Sequence, residues 1–170
     1  MIYGCYTGKD LKAYFCDLTL ADDKAMADLP FYRLNFGKPR AQDGSWQDLH
    51  VSTGYGSMTM VLRGQIEFGV TAGKTRSIIG KQGDIFVFID CDGDGHSTHN
   101  PAGGELFQTA NMRFSDPVEG LWPVLQKVFK GWPDNVMPPH TYQGGGPQTG
   151  RHEGDKPDPN FDYSRFKKGK

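Results

Sequence analysis

Between residues 57 and 114 the chain is a ladder of short β-favouring runs broken at glycine, and this constrains the fold more than any other feature. Met58 to Leu62 and Gln65 to Val70 are separated only by Arg63-Gly64. Ala72-Gly73 then precedes Lys74 to Ile79, and Asp84 to Ile89 and Glu105 to Phe114 complete the series. Glycine supplies the positive φ that two-residue corners require, so runs of this length predict antiparallel hairpins folded into a sandwich or barrel. One later segment has a different period. Leu121, Leu125, Val128 and Trp132 recur at i, i+4, i+7 and i+11, which predicts a helix near 121–132 packed on the sheets, with Pro123 in its first turn. Upstream, residues 3–20 have room for one or two edge strands and residues 21–28 for a helical turn.

Composition matters because it threatens this reading. Leu, Ile, Val and Phe make up only 35 of 170 residues, close to the level at which charged chains stay disordered. The net charge is −1, so no self-repulsion opposes collapse, and 21 aromatic residues supply bulk for a core. The deficit is also local: residues 134–170 hold only Val136, Phe161 and Phe166 of that set. The expected organisation is therefore a domain over 1–133 and an extended Gly/Pro/charged tail over 134–170. A balanced charge gives no reason to expect nucleic acid or an anionic membrane as partner. No apolar run is long enough for a membrane span, and residues 1–10 lack the apolar stretch of a secretory signal, so a cytoplasmic location is expected.

Cys5, Cys16 and Cys91 form neither a C-x-x-C pair nor an even disulfide framework, which predicts reduced thiols. Cys91 lies between Asp90 and Asp92, and flanking carboxylates disfavour a thiolate nucleophile. Asp90 to Gly95 imitates the start of a calcium-binding EF-hand loop, but the twelfth position is Pro101 and the preceding segment is a strand, so three solvated turn aspartates are expected instead. Gly145 to Gly150 imitates a phosphate-binding loop, yet Arg151 and His152 follow where Lys and Ser or Thr are needed.

Two histidines carry more information. His50 belongs to Asp48-Leu49-His50-Val51-Ser52, where strand alternation would put Asp48, His50 and Ser52 on one face. His96 follows the Asp84 to Ile89 strand in Gly93-Asp94-Gly95-His96. With Gly64 as the closing glycine of a first motif and Gly83, Gly93, His96 and Asn100 as a second, residues 45–115 resemble the cupin superfamily. The similarity is greatest to small cupins whose second motif reads Asp-x-x-Gly-x-Gly-His, here Asp90, Gly93, Gly95 and His96. The resemblance implies an all-β fold, a cupin-type antiparallel β-barrel of the jelly-roll kind, and a small-molecule pocket at His50 and His96. It also implies a homodimer.

A typical metal cupin uses three His and one Glu; this chain has Ser52 and Ser57 at two of those positions. His50 and His96 remain as metal-ligand candidates, with Asp48 or Gln108 able to complete a set for Fe, Mn, Ni or Zn; no tightly bound metal is the favoured expectation. Without a metal, His50 and His96 can act as general acid and base, with Asp48 orienting His50. Ser52, Ser57, Gln108 and Asn111 are the expected ligand-binding residues. Three readings follow: an isomerase, lyase or dehydratase working by proton transfer; a metal-dependent oxygenase; and a non-catalytic ligand-binding module. No role is expected for His99, His140 or His152.

Overall fold

The computed structural model describes residues 1–137 except 42–43, 45, 53–54, 92 and 102–105, and does not describe the side chains of Tyr32, Trp46, Asp48 and His50. The described chain is mostly strand, and its strands form two sheets. The larger runs in the order β12 (Phe129–Lys130), β2 (Ala13–Leu20), β1 (Ile2–Thr7), β9 (Ile85–Phe88), β6 (Ser57–Arg63), β11 (Leu106–Phe114) and β3 (Phe31–Phe36), with β4 (Arg40–Ala41) also paired to β11. The smaller runs β5 (Trp46–His50), β10 (His96–His99), β7 (Gln65–Gly69) and β8 (Ser77–Lys81). The all-β expectation stands at this level; among the described residues the sheets do not close into a barrel.

Two apolar layers hold the sheets. Between them lie Cys5, Ala13, Val61, Ile66, Phe68, Val70, Phe86, Phe88 and Phe107. On the other face of the larger sheet, Tyr6, Met58, Val87, Ile89 and Phe114 pack against α2 (Val118–Val128), which buries Val118, Leu121, Leu125 and Val128. The unbroken apolar run of β9 follows from this, because Phe86 and Phe88 enter one layer while Val87 and Ile89 enter the other. Each such fully buried side chain contributes roughly 1.5–3 kcal/mol. A short α1 (Asp23–Ala27), capped by Asp22 accepting from the Ala25 amide at 2.8 Å, lies beside α2.

Several expectations are corrected here. Arg63-Gly64 is not a hairpin turn: β6 pairs with β9 and β11, β7 with β8 and β10, so the chain steps from one sheet to the other. Gly64 has φ 70°, and a Cβ there would lie 2.7 Å from the Leu106 carbonyl oxygen, so the corner needs glycine both for conformation and for room. β1 is not an edge strand; it sits between β2 and β9 and pairs with β9 in parallel, a register that no local turn encodes. Pro123 is the sixth residue of α2, beyond the first turn where its missing N–H would cost nothing. Burial of one apolar stripe carries the helix across it. Trp132 lies past the helix and packs edge-on against Trp122, ring centroids 5.3 Å apart.

The packed unit also runs past residue 133. Val136 is buried and bridges Gly8, the Lys9 amide donates to the Asn135 carbonyl, and the Met137 amide donates to the Thr7 carbonyl. The rest of the tail expected over 134–170, with His140 and His152, lies outside the described residues. No described helix is long and apolar enough to cross a membrane.

Candidate functional site

A cavity of about 420 Å³ opens between the two sheets. Strand alternation decides what lines it. From β6 come Ser57 and Thr59, from β11 Thr109, Asn111 and Arg113, from β9 Phe88, and from β7 Ile66 and Phe68. β10 contributes His96 and Thr98, and the segment after β5 contributes Val51, Ser52 and Gly56. One wall is thus aromatic and aliphatic, the other hydroxyl, amide and guanidinium.

His96 is the imidazole of this wall. Its ring stacks on Phe88 with centroids 4.3 Å apart, and its Nδ1 lies 2.6 Å from Oδ2 of Asp90. Asp90 has no solvent exposure and His96 has 6%. An ionised carboxylate only accepts, so Nδ1 carries the proton and Nε2 is the basic nitrogen. Asp90 also accepts from the Ser52 hydroxyl at 2.9 Å through Oδ1, and its backbone carbonyl accepts from the Ser52 amide at 3.0 Å. The Cys5 thiol, fully buried, lies beside the same carboxylate, within 4.8 Å of it. Burial and the adjacent Asp90 charge push that thiol well above its ordinary value, so it stays protonated. One buried carboxylate therefore gathers an imidazole and a hydroxyl, with a thiol alongside, and the two bonds offset the cost of burying its charge.

The local sequence explains why these groups converge. Phe86, Phe88 and Asp90 alternate along one line, so Asp90 continues the inward face of β9. Gly93 and Gly95, both at φ 71°, then turn the chain back, and Gly93 passes so close to the Leu11 carbonyl oxygen that a Cβ could not fit. The turn returns His96 beside the aspartate six residues before it. Cys5 arrives through the parallel pairing of β1, where Cys5 is the register partner of Phe88.

Asp90 is thus not a solvated turn aspartate, and it occupies beside His96 the orienting position expected of Asp48 beside His50. His50 stands in register with His96 on neighbouring strands, but its side chain and that of Asp48 lie outside the described part of the structure. The roles expected of His50 and Asp48 therefore rest on backbone placement alone. Ser52, Ser57 and Asn111 all line the cavity; Ser52 is turned to Asp90, and the Asn111 amide donates to the Thr59 hydroxyl at 2.9 Å. Gln108 is not among the lining residues; its amide donates to the Gly37 carbonyl at 2.9 Å. Neither Arg113 nor Cys5 is expected at the site from the sequence. Arg113 was readable by parity from Asn111, whereas Cys5 was not, because it depends on a long-range parallel register.

Cys5, Asp90 and His96 also offer three potential metal-ligand atoms within 4.8 Å of one another. Sulfur, oxygen and nitrogen donors of this kind suit zinc. As arranged Asp90 and His96 hydrogen-bond instead: the 2.6 Å between Nδ1 and Oδ2 is shorter than the separation of about 3.3 Å that tetrahedral zinc bonds impose. A metal here has to displace two protons and spread the Asp90–His96 pair.

Comparison of the chain with protein-family models, with characterised proteins and with solved structures returns no match.

Proposed function

We propose that the protein is a cupin-like enzyme of the isomerase, lyase or dehydratase type that moves a proton on a small organic molecule bound between its sheets. The observation that carries this reading is the Asp90–His96 pair at the wall of the cavity. Nε2 of His96 removes a proton from the substrate, the electron pair stays on the substrate as an enolate-type anion, and the imidazolium so formed is stabilised by Asp90. The same nitrogen returns the proton to another atom, or delivers it to a leaving group. The apolar side, Phe68 and Phe88, limits water around the reacting centre. A jelly-roll, cupin-like arrangement is supported by the two-sheet layering, the sheet-crossing corner at Gly64 and the glycine turn that carries His96.

Solvent-isotope exchange tests this without the substrate being identified first. Incubated in D₂O with a mixture of small organic acids and sugars, the protein is expected to introduce deuterium into at least one component, read by mass spectrometry. His96→Ala is expected to abolish the exchange while the protein stays folded by circular dichroism. No exchange with the unaltered protein, or equal exchange with the variant, overturns the proposal.

The cluster of Cys5, Asp90 and His96 favours a second reading, a zinc-type ion held by those three side chains. Elemental analysis after purification without chelator decides it: stoichiometric metal lost in Cys5→Ala supports it, and metal that stays substoichiometric after adding Zn, Fe, Mn or Ni removes it.

A further inference from the structure

We infer that the cavity takes an organic carboxylate, and that Arg113, assisted by Arg33, binds its anionic end. This names the substrate class of the site proposed above and rests on that reading only for the reaction, not for the binding.

The register of the larger sheet sets out the argument. Residues directly opposite on neighbouring strands share a face, and two such rows cross the cavity side of β9, β6, β11 and β3. One row is Phe88, Ser57, Arg113 and Arg33; the other is Phe86, Thr59, Asn111 and Asn35. Polarity rises in step along both, from aromatic through hydroxyl to amide and guanidinium. The apolar end is where His96 stacks on Phe88. Arg113 stands two strand spacings away, about 10 Å. A small molecule lying along this gradient has its neutral part beside His96 and its charge beside Arg113.

The charges point to an anion. Arg113 lines the cavity and is half-buried, and it is the one charged group among the described lining residues. Arg33 is its direct cross-strand partner, and like charges placed opposite each other destabilise a sheet. No Asp or Glu among the described residues forms an ion pair with either arginine. The unneutralised Arg113 guanidinium at one end of the cavity, with the exposed Arg33 in register on the next strand, suits an oxyanion, whose two oxygens match the planar guanidinium fork. The lining residues lie on strands and on the connection between β5 and β6, and none opens a helix. Phosphate sites are commonly built on helix N-termini and glycine-rich backbone nests, so carboxylate is the better match.

Binding of benzoate, its neutral isostere benzamide and inorganic phosphate, each measured by calorimetry and by amide chemical shifts, tests this directly. Benzoate is expected to bind saturably and shift the signals of Ser57, Asn111 and Arg113, with benzamide and phosphate each at least about tenfold weaker. Arg113→Gln should weaken benzoate by about ten- to hundredfold, the worth of a charge-assisted contact, and Arg33→Gln by less. Benzamide binding as well as benzoate overturns the inference, as do unchanged affinity in Arg113→Gln and no saturable benzoate binding at millimolar concentration. Phosphate binding as tightly as benzoate overturns the choice of carboxylate. Deuterium exchange and benzoate discrimination are independent readouts: loss of the first alone removes the proposed reaction, and loss of the second alone removes this substrate class.

Discussion

The two faces of β10 each carry a histidine paired through Nδ1 with a carboxylate, and the pairs differ in almost everything else. His96 faces the cavity, meets Asp90 at 2.6 Å and stacks on Phe88. His99 faces the other way, meets Glu67 at 3.0 Å, and is also nearly buried, at 7% exposure. Asp90 is sealed from water and gathers donors from β10 and the segment after β5, while the Glu67 side chain is partly exposed. A carboxylate–histidine pair is therefore not by itself the mark of a site. What separates them is a cavity on one side and a carboxylate committed to two donors, which fixes the ring where a ligand can reach it.

The comparison breaks most visibly in turnover. His96→Ala should lower solvent-deuterium exchange by about 10²–10⁴, the usual range for a general acid–base group, and His99→Ala should leave it within about twofold. Equal losses in the two variants would remove the distinction between the faces. In stability, Asp90→Ala should cost about 3–5 kcal/mol in urea unfolding, because it strands the buried His96 imidazole and removes the acceptor of the Ser52 hydroxyl. Glu67→Ala should cost about 1 kcal/mol. Gly93→Ala comes next, at about 1–3 kcal/mol, because a side chain there meets the Leu11 carbonyl oxygen at a left-handed φ. It should also reduce exchange, since that turn aims His96.

The smallest effect is a pH dependence. Burial pushes the Cys16 thiol and the Tyr6 phenol up to about 12, and holds the Cys5 thiol well above the ordinary 9.0. The fold thus favours the neutral forms. Their contribution is complete below about pH 9 and is lost as pH rises towards 12, when the unfolded chain ionises first. Unfolding free energy should fall along this alkaline limb, and Cys5→Ala should make the limb shallower while Glu67→Gln leaves it unchanged. A flat profile to pH 11 would show that burial does not hold these groups neutral.

Local chemistry made part of this readable in advance. Glycine corners and alternating runs announced β6, β7, β8, β9 and β11, and the stripe of Leu121, Leu125 and Val128 announced α2. Asp90, Gly93, Gly95 and His96 stood out together as a motif, although the aspartate was assigned to solvent. Its inward face was implied by the alternation of Phe86 and Phe88, but alternation does not say which face has a partner waiting. The mis-assigned positions share a cause. Arg63-Gly64 looks like a hairpin turn because a two-residue glycine break is compatible with either a tight turn or a change of sheet. Gln108 carries the right chemistry for a pocket, and the Gly37 carbonyl is where its amide goes.

The sequence by itself determined the strand-rich class, the positions where the backbone must turn left-handed, and the residue types available for proton transfer. Those are properties of dihedral preference and side-chain chemistry, which act over a few residues. The tertiary structure decided which strands are neighbours, and so brought Cys5 from the N-terminus and Ser52 from after β5 to the aspartate that His96 shares. It also set Arg113 opposite Arg33. Pairing between distant strands is chosen by the burial of two apolar layers at once, and no single segment contains that information.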